Sequence, residues 1–117
     1  MNAHPSSLSD RELLELAAKA AGIRTVTRQY CDLLGVAVKE PGTWVIGRWN
    51  PLEDDGDALR LAVKLRIDLD FDTDNPFVEA YRKSRDGRAQ VSCEPLTTDA
   101  DAATRHAIVL AAANLAK

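Results

Sequence analysis

Cysteine and aromatic residues are scarce in this chain. Two of its 117 residues are cysteines, Cys31 and Cys93, and six are aromatic. Two cysteines are too few for the disulfide framework of a small secreted domain, and no Cys/His spacing typical of a zinc site is present. Because the first ten residues lack the apolar centre of a signal peptide, we expect reduced thiols in a cytoplasmic protein. The sequence leaves the redox state of the two cysteines open.

Long apolar runs and an excess of positive charge are also absent. No run approaches the roughly 18 apolar residues of a membrane span, so no membrane partner is expected. The net charge of −3 argues against a general nucleic-acid coat, which requires an excess of lysine and arginine. Nucleic acid is therefore not the favoured partner, although a local contact with it stays open.

The residue sets of familiar catalytic sites are missing as well. The glycines are scattered and form no phosphate-binding loop. His4 and His106 stand far along the chain from both cysteines, so no nucleophile–base pair is local, although distant residues meet in a folded protein. The sequence therefore predicts no catalytic residue and no cofactor. It favours a protein that is not an enzyme and leaves that question open.

What the chain does contain is an ordinary globular composition, 45% hydrophobic and 28% charged. We expect a flexible tail over residues 1–8 and a single domain over 9–117. Local patterns predict the order α-β-β-β-α-β-(β)-β-α, which is an α/β (α+β) fold class. In it, about three helices sandwich a mainly antiparallel sheet of about five strands.

Signals for helix ends place the three helices. Ser9 and Glu12 have the spacing of a capping box, and Gly22 is typical of a helix end. Thr98 repeats the capping-box spacing with an aspartate, before a final alanine-rich helix over about 99–116. A second helix over about 57–65 is expected to begin at a capping aspartate, Asp54 or Asp55, and its predicted apolar face consists of Leu59, Ala62, Val63 and Leu65.

Alternating patterns predict the strands. Segments 25–30, 34–38 and 43–46 indicate a three-stranded antiparallel meander. Segment 67–72 alternates strictly, so its three acids are expected to face solvent while Ile67, Leu69 and Phe71 turn inward. Segment 77–82 fits a strand or a helical turn equally well. Asp86 and Gly87 indicate a hairpin turn, followed by a strand over 88–94.

Three stretches resemble a family of small phage proteins. They are RELLELAAKAAG at 11–22, WNPL at 49–52 followed by DDGDALRLA at 54–62, and ATR at 103–105 followed by AIV at 107–109. In these stretches, which span most of the chain, the protein is similar to the phage "ABA sandwich" domain family. The resemblance implies a helix–sheet–helix sandwich in a phage or prophage protein of a bacterial host's cytoplasm. It implies no activity and no catalytic residue, and His106 stands where the family pattern has a second arginine.

An acidic row is the first candidate site. Read from Asp68, carboxylates occupy the ligand positions of a calcium loop, but Thr73 stands where the loop needs glycine. A strand also spaces alternate carboxylates too widely to wrap one ion, so a solvated strand face is the favoured interpretation. The alternative is divalent-metal binding, and with it a metal-dependent enzyme. Its ligands would be Asp72, Asp74 and Glu79.

Two charged clusters and one tryptophan are the other candidates. Segment 53–74 holds eight acids, which predicts a negative field that could attract a basic host protein. The hairpin at 82–88 is basic and could contact phosphates, with Tyr81 stacking on a base. Trp49 at a strand end could belong to a recognition surface, although packing is its favoured role. The predicted binding residues are Trp49, Asp54, Asp55, Asp68, Asp70, Arg82, Arg85 and Arg88.

These patterns together favour a phage-like accessory protein that binds another macromolecule without catalysis. Its partner would be a host or phage protein. The alternatives are the metal-dependent enzyme and a nucleic-acid-associated protein. The sequence predicts no oligomeric state.

Overall fold

The computed structural model describes residues 8–25, 36–39, 45–72, 74–96 and 99–116. Within them the chain forms three helices and six strands. The order is α1 (Asp10–Ala21), β1 (Arg24–Thr25), β2 (Val36–Lys39), β3 (Val45–Trp49), α2 (Asp55–Leu65), β4 (Asp68–Phe71), β5 (Phe77–Ser84), β6 (Gly87–Pro95) and α3 (Ala100–Leu115).

The predicted fold class and element order are confirmed. All strand pairs among the described residues are antiparallel, and they form two sheets of three strands, in the orders β1-β2-β3 and β4-β5-β6. The segment at 77–82, ambiguous in the sequence, is part of strand β5. The predicted turn at Asp86 and Gly87 joins β5 to β6. The predicted strand beyond Thr25, together with Cys31 and Trp44, lies outside the described residues.

The helix ends follow the local signals. The Ser9 hydroxyl accepts the backbone N–H of Glu12, whose side chain accepts the N–H of Ser9, which is the predicted capping box. Gly22 ends α1 with φ of 71°, a left-handed conformation that suits glycine. Asp54 caps α2. The side chain of Asp99 caps α3 by accepting the N–H of Ala102, whereas the predicted cap Thr98 lies outside the described residues.

Helix α3 is the centre of the core. Every residue from 107 to 113 is buried, because α3 packs against α1, against α2 and against strands β5 and β6. The alanines on α3 have short side chains, which allow this close approach. Leu8, placed in the predicted tail, packs against the same core. Among the described helices, none is long and apolar enough to cross a bilayer.

The predicted apolar face of α2 is wrong in part. The buried residues of this helix are Ala58, Leu61 and Ala62, whereas Leu59 is 63% exposed and Val63 is 57% exposed. Both exposed residues lie two positions from Leu61, which is about 200° around a helix. The helix therefore has two apolar stripes, and only the one containing Leu61 faces the core.

Candidate functional site

Strand β4 is an edge strand of the second sheet. Among the described residues, β5 is its only neighbour. The backbone N–H of Asp72 donates to the carbonyl of Phe77 at 3.1 Å, in the same register that pairs Asp70 with Glu79. Successive residues of a strand direct their backbone groups to opposite sides. The N–H and C=O groups of Leu69 and Phe71 therefore point away from β5, toward the open edge.

The side chains of β4 point in the predicted directions, but not all are buried. Phe71 pairs with Val78, which is completely buried, so Phe71 belongs to the face of the sheet that α3 covers. Phe71 is nevertheless 50% exposed, which corrects the expectation of an inward and buried residue. Ile67 is buried and Leu69 is half-buried. Burial of these three side chains therefore decreases from Ile67, just before β4, to Phe71 at its end.

Exposed apolar side chains surround this open edge. A groove of about 300 Å³ between α2, β4 and α3 contains Leu59 and Phe71. A second groove, of about 430 Å³, is lined by Phe71 and also by Phe77, Asp70 and Glu79. Phe77 lies on the opposite face of the sheet from Phe71, because Phe71 pairs with its neighbour Val78. Val63 lies one helical turn beyond Leu59 on the same stripe. We call the three residues Leu59, Val63 and Phe71 the apolar patch.

Arg105 fixes the wall of the first groove. Its guanidinium donates to Asp55 Oδ1 at 2.5 Å and to the carbonyl oxygen of Leu52 at 2.9 Å. The side chain of Arg105 is only 16% exposed, so it ties α3 to the turn that precedes α2. Asp54 accepts the N–H of Asp57 at 2.7 Å as the helix cap. The two predicted binding acids, Asp54 and Asp55, therefore both have structural partners.

On the other face of the same sheet, the predicted acidic row and basic hairpin meet. Arg88 donates to Asp70 at 2.8 Å and to Glu79, and its guanidinium lies 4.1 Å from the ring centroid of Tyr81. The hydrogen bond to Asp70 is the main cause that raises the pKa of Arg88. Lys83 lies 3.8 Å from Asp68. The predicted negative field is thus partly neutralised here.

The basic hairpin offers less to a nucleic acid than expected. Tyr81 is buried beneath Arg88, so its ring is not available to stack on a base. Arg88 is engaged by two carboxylates. The predicted contacts Arg82 and Arg85 are exposed near the hairpin tip.

The candidate metal ligands have other roles. Asp72 accepts the backbone N–H groups of Asp74 and Asn75, at 2.8 and 3.3 Å, and these bonds lower its pKa. Glu79 pairs with Arg88. Among the described residues, no group of three or more His, Cys, Asp or Glu is placed to hold a metal ion.

The structure buries one predicted contact residue and shows side-chain pairs and surfaces that the sequence did not indicate. Trp49, a predicted contact, is 8% exposed and belongs to the core, which leaves it little surface for a partner. His106 Nδ1 lies 3.1 Å from Glu94 Oε1, a pairing between α3 and β6 that no local pattern indicates. Cys93 is an exposed thiol beside the second groove. The apolar patch was also missed, although the two stripes of α2 are visible in its sequence.

Comparison with known proteins adds nothing to this geometry. No protein-family model, curated protein or solved structure matches the chain.

Proposed function

We propose that this protein works by binding another protein through the apolar patch. The observation that carries the proposal is the exposure of three large apolar side chains beside one open sheet edge. Single exposed apolar residues are ordinary on a protein surface, but a contiguous group is typical of an interaction site. Such residues supply affinity because a partner removes them from water.

The charged surface supports a protein partner over a nucleic acid. The chain carries a net charge of −3, and Arg88 and Lys83 of the basic hairpin are paired with carboxylates. A nucleic-acid surface instead presents unpaired lysine and arginine to phosphates. The resemblance to small phage proteins makes a host or phage protein the proposed partner, bound without catalysis.

The test removes apolar area without changing charge. The double variant Leu59→Gln, Val63→Gln is compared with wild type in affinity capture from a bacterial lysate, and the captured protein is then purified. Calorimetry with the purified partner measures the dissociation constant of each variant. We expect the double variant to bind at least about tenfold more weakly, since two exposed aliphatic side chains lose their burial at the interface.

Lys64→Gln is the control, since it introduces the same residue on the same helix and removes a charge instead of apolar area. It lies beside Val63 on the same helix, is exposed, and should leave the dissociation constant within about twofold of wild type. Thermal unfolding of all variants checks that each remains folded. Equal affinity for wild type and the double variant, or capture of no specific protein by wild type, contradicts the proposal.

A further inference from the structure

The open edge of β4 and the two faces beside it indicate what kind of segment the partner contributes. We infer that the apolar patch receives an extended, amphipathic segment of the partner, which alternates apolar and basic residues. It pairs with β4 antiparallel, as all strand pairs among the described residues do. This inference rests on the proposed function. It specifies what binds there, and its test is separable from the test of the patch itself.

The backbone of β4 is the first reason. Leu69 and Phe71 direct their N–H and C=O groups to the open edge. Among the described residues, no backbone hydrogen bond uses these groups. Unpaired backbone groups on an edge strand are a template for another strand. An incoming segment that pairs with them gains main-chain hydrogen bonds whatever its side chains are.

The groove beneath the edge sets one half of the side-chain pattern. Residues that pair with Leu69 and Phe71 place their side chains on the same face of the sheet as these two. On that face, the groove between α2 and α3 is mainly apolar, with Leu59 and Ile108 in its lining, and Asp55, Asp101 and Arg105 also contribute to it. Every second residue of the segment is therefore apolar.

The opposite face sets the other half of the pattern. The intervening residues of the segment fall opposite Asp68, Asp70 and Asp72. With Glu79, this face holds four acids near the edge, and two bases, Lys83 and Arg88, pair with three of them. The remaining negative charge favours lysine or arginine at these positions, since opposite charges across neighbouring strands attract.

The same charges disfavour a second copy of this chain as the occupant. Antiparallel pairing of β4 with itself would bring Asp68, Asp70 and Asp72 of both copies together on one face. Like charges directly opposite each other on neighbouring strands are unfavourable. A helical segment would bury the groove but would leave the edge groups of Leu69 and Phe71 unpaired. An extended basic segment satisfies both the groove and the edge.

The experiment uses a capped peptide of seven residues, alternating lysine and valine, added to the full chain. In the inferred pairing, the valines oppose Leu69 and Phe71 and direct their N–H groups toward β4. N-methylation of two valine amides therefore blocks the pairing, whereas N-methylation of two lysine amides, which point away, leaves it intact. NMR titration gives the dissociation constants and the shifts of the Leu69 and Phe71 amides.

We expect the unmodified and lysine-methylated peptides to bind within about twofold of each other, and the valine-methylated peptide at least about tenfold more weakly. A peptide with glutamate in place of lysine should not bind. Equal binding of both methylated peptides, or no binding of the unmodified one, overturns the inference. So does movement of the Leu69 and Phe71 amide shifts with protein concentration alone, because a second copy then occupies the edge.

These outcomes stay distinct from the test of the proposed function. If β4 rejects the peptide while an identified partner still requires Leu59 and Val63, the inference fails and the proposed function stands. If the peptide pairs with β4 but no partner depends on the apolar patch, the proposed function fails instead.

Discussion

Helices α3 and α2 are both rich in apolar residues, yet the fold uses them differently. All residues of α3 from 107 to 113 are buried, because neighbours surround that part of the helix. Helix α2 buries only the stripe containing Leu61 and leaves Leu59 and Val63 exposed. The apolar surface of α3 is explained by folding alone. Packing among the described residues does not explain the second stripe of α2, and the proposed contact with a partner is the role that we assign to it.

Truncation of one residue from each stripe of α2 should give the largest difference in stability. Leu61→Ala should lower the free energy of unfolding by about 2–5 kcal/mol, because it removes a buried side chain and leaves a cavity. Leu59→Ala should change it by no more than about 0.5 kcal/mol, because Leu59 is already exposed. Urea denaturation of both variants and wild type measures the difference.

The two substitutions are chemically identical and lie on one helix, so each controls for the helix propensity of the other. If Leu59→Ala were as destabilising as Leu61→Ala, then Leu59 would pack within the folded chain. The apolar patch would then lose its central member.

A smaller effect is expected where α3 holds the turn before α2. Arg105→Met keeps the apolar stem but leaves the carbonyl of Leu52 without its donor, which should cost about 1–3 kcal/mol of unfolding free energy. Asp55 is the second partner of Arg105, and its side chain is 74% exposed. Asp55→Asn removes only its charge, so it should lower the free energy of unfolding by less than about 1 kcal/mol. Urea denaturation measures both variants. Equal costs would show that the ion pair with Asp55, rather than the partly buried hydrogen bond to Leu52, holds the turn.

Local features were predictable from the sequence because their causes are local. The capping box at Ser9, the helix end at Gly22 and the hairpin at Gly87 depend on residues within a few positions of one another. The alternation along β4 also correctly predicted which side chains point to which face. These features follow from side-chain hydrogen bonds, backbone conformation and strand periodicity alone.

Features that depend on distant segments were not predictable in this way. Which stripe of α2 is buried depends on where α3 packs, some 45 residues later in the chain. The exposure of Phe71 depends on which elements pack beside the end of β4, which no local pattern indicates. The pairing of Arg88 with Asp70 joins residues 18 positions apart. The candidate site consists of such features, which is why sequence reasoning selected the charged residues and missed the apolar patch.

The smallest expected effect concerns the turn that follows β4. Two backbone N–H groups stabilise the charged form of Asp72, which lowers its pKa below the ordinary value of 3.8. Its contribution to stability is therefore fully present above pH 3.8 and is lost as the pH falls through the depressed pKa. Asp72→Asn should be less stable than wild type near neutral pH, by a difference that shrinks below pH 3.8. Urea denaturation as a function of pH measures it, with Asp74→Asn as control, since Asp74 contributes its backbone N–H to the turn. A difference that does not depend on pH would mean that the charge of Asp72 does not hold this turn.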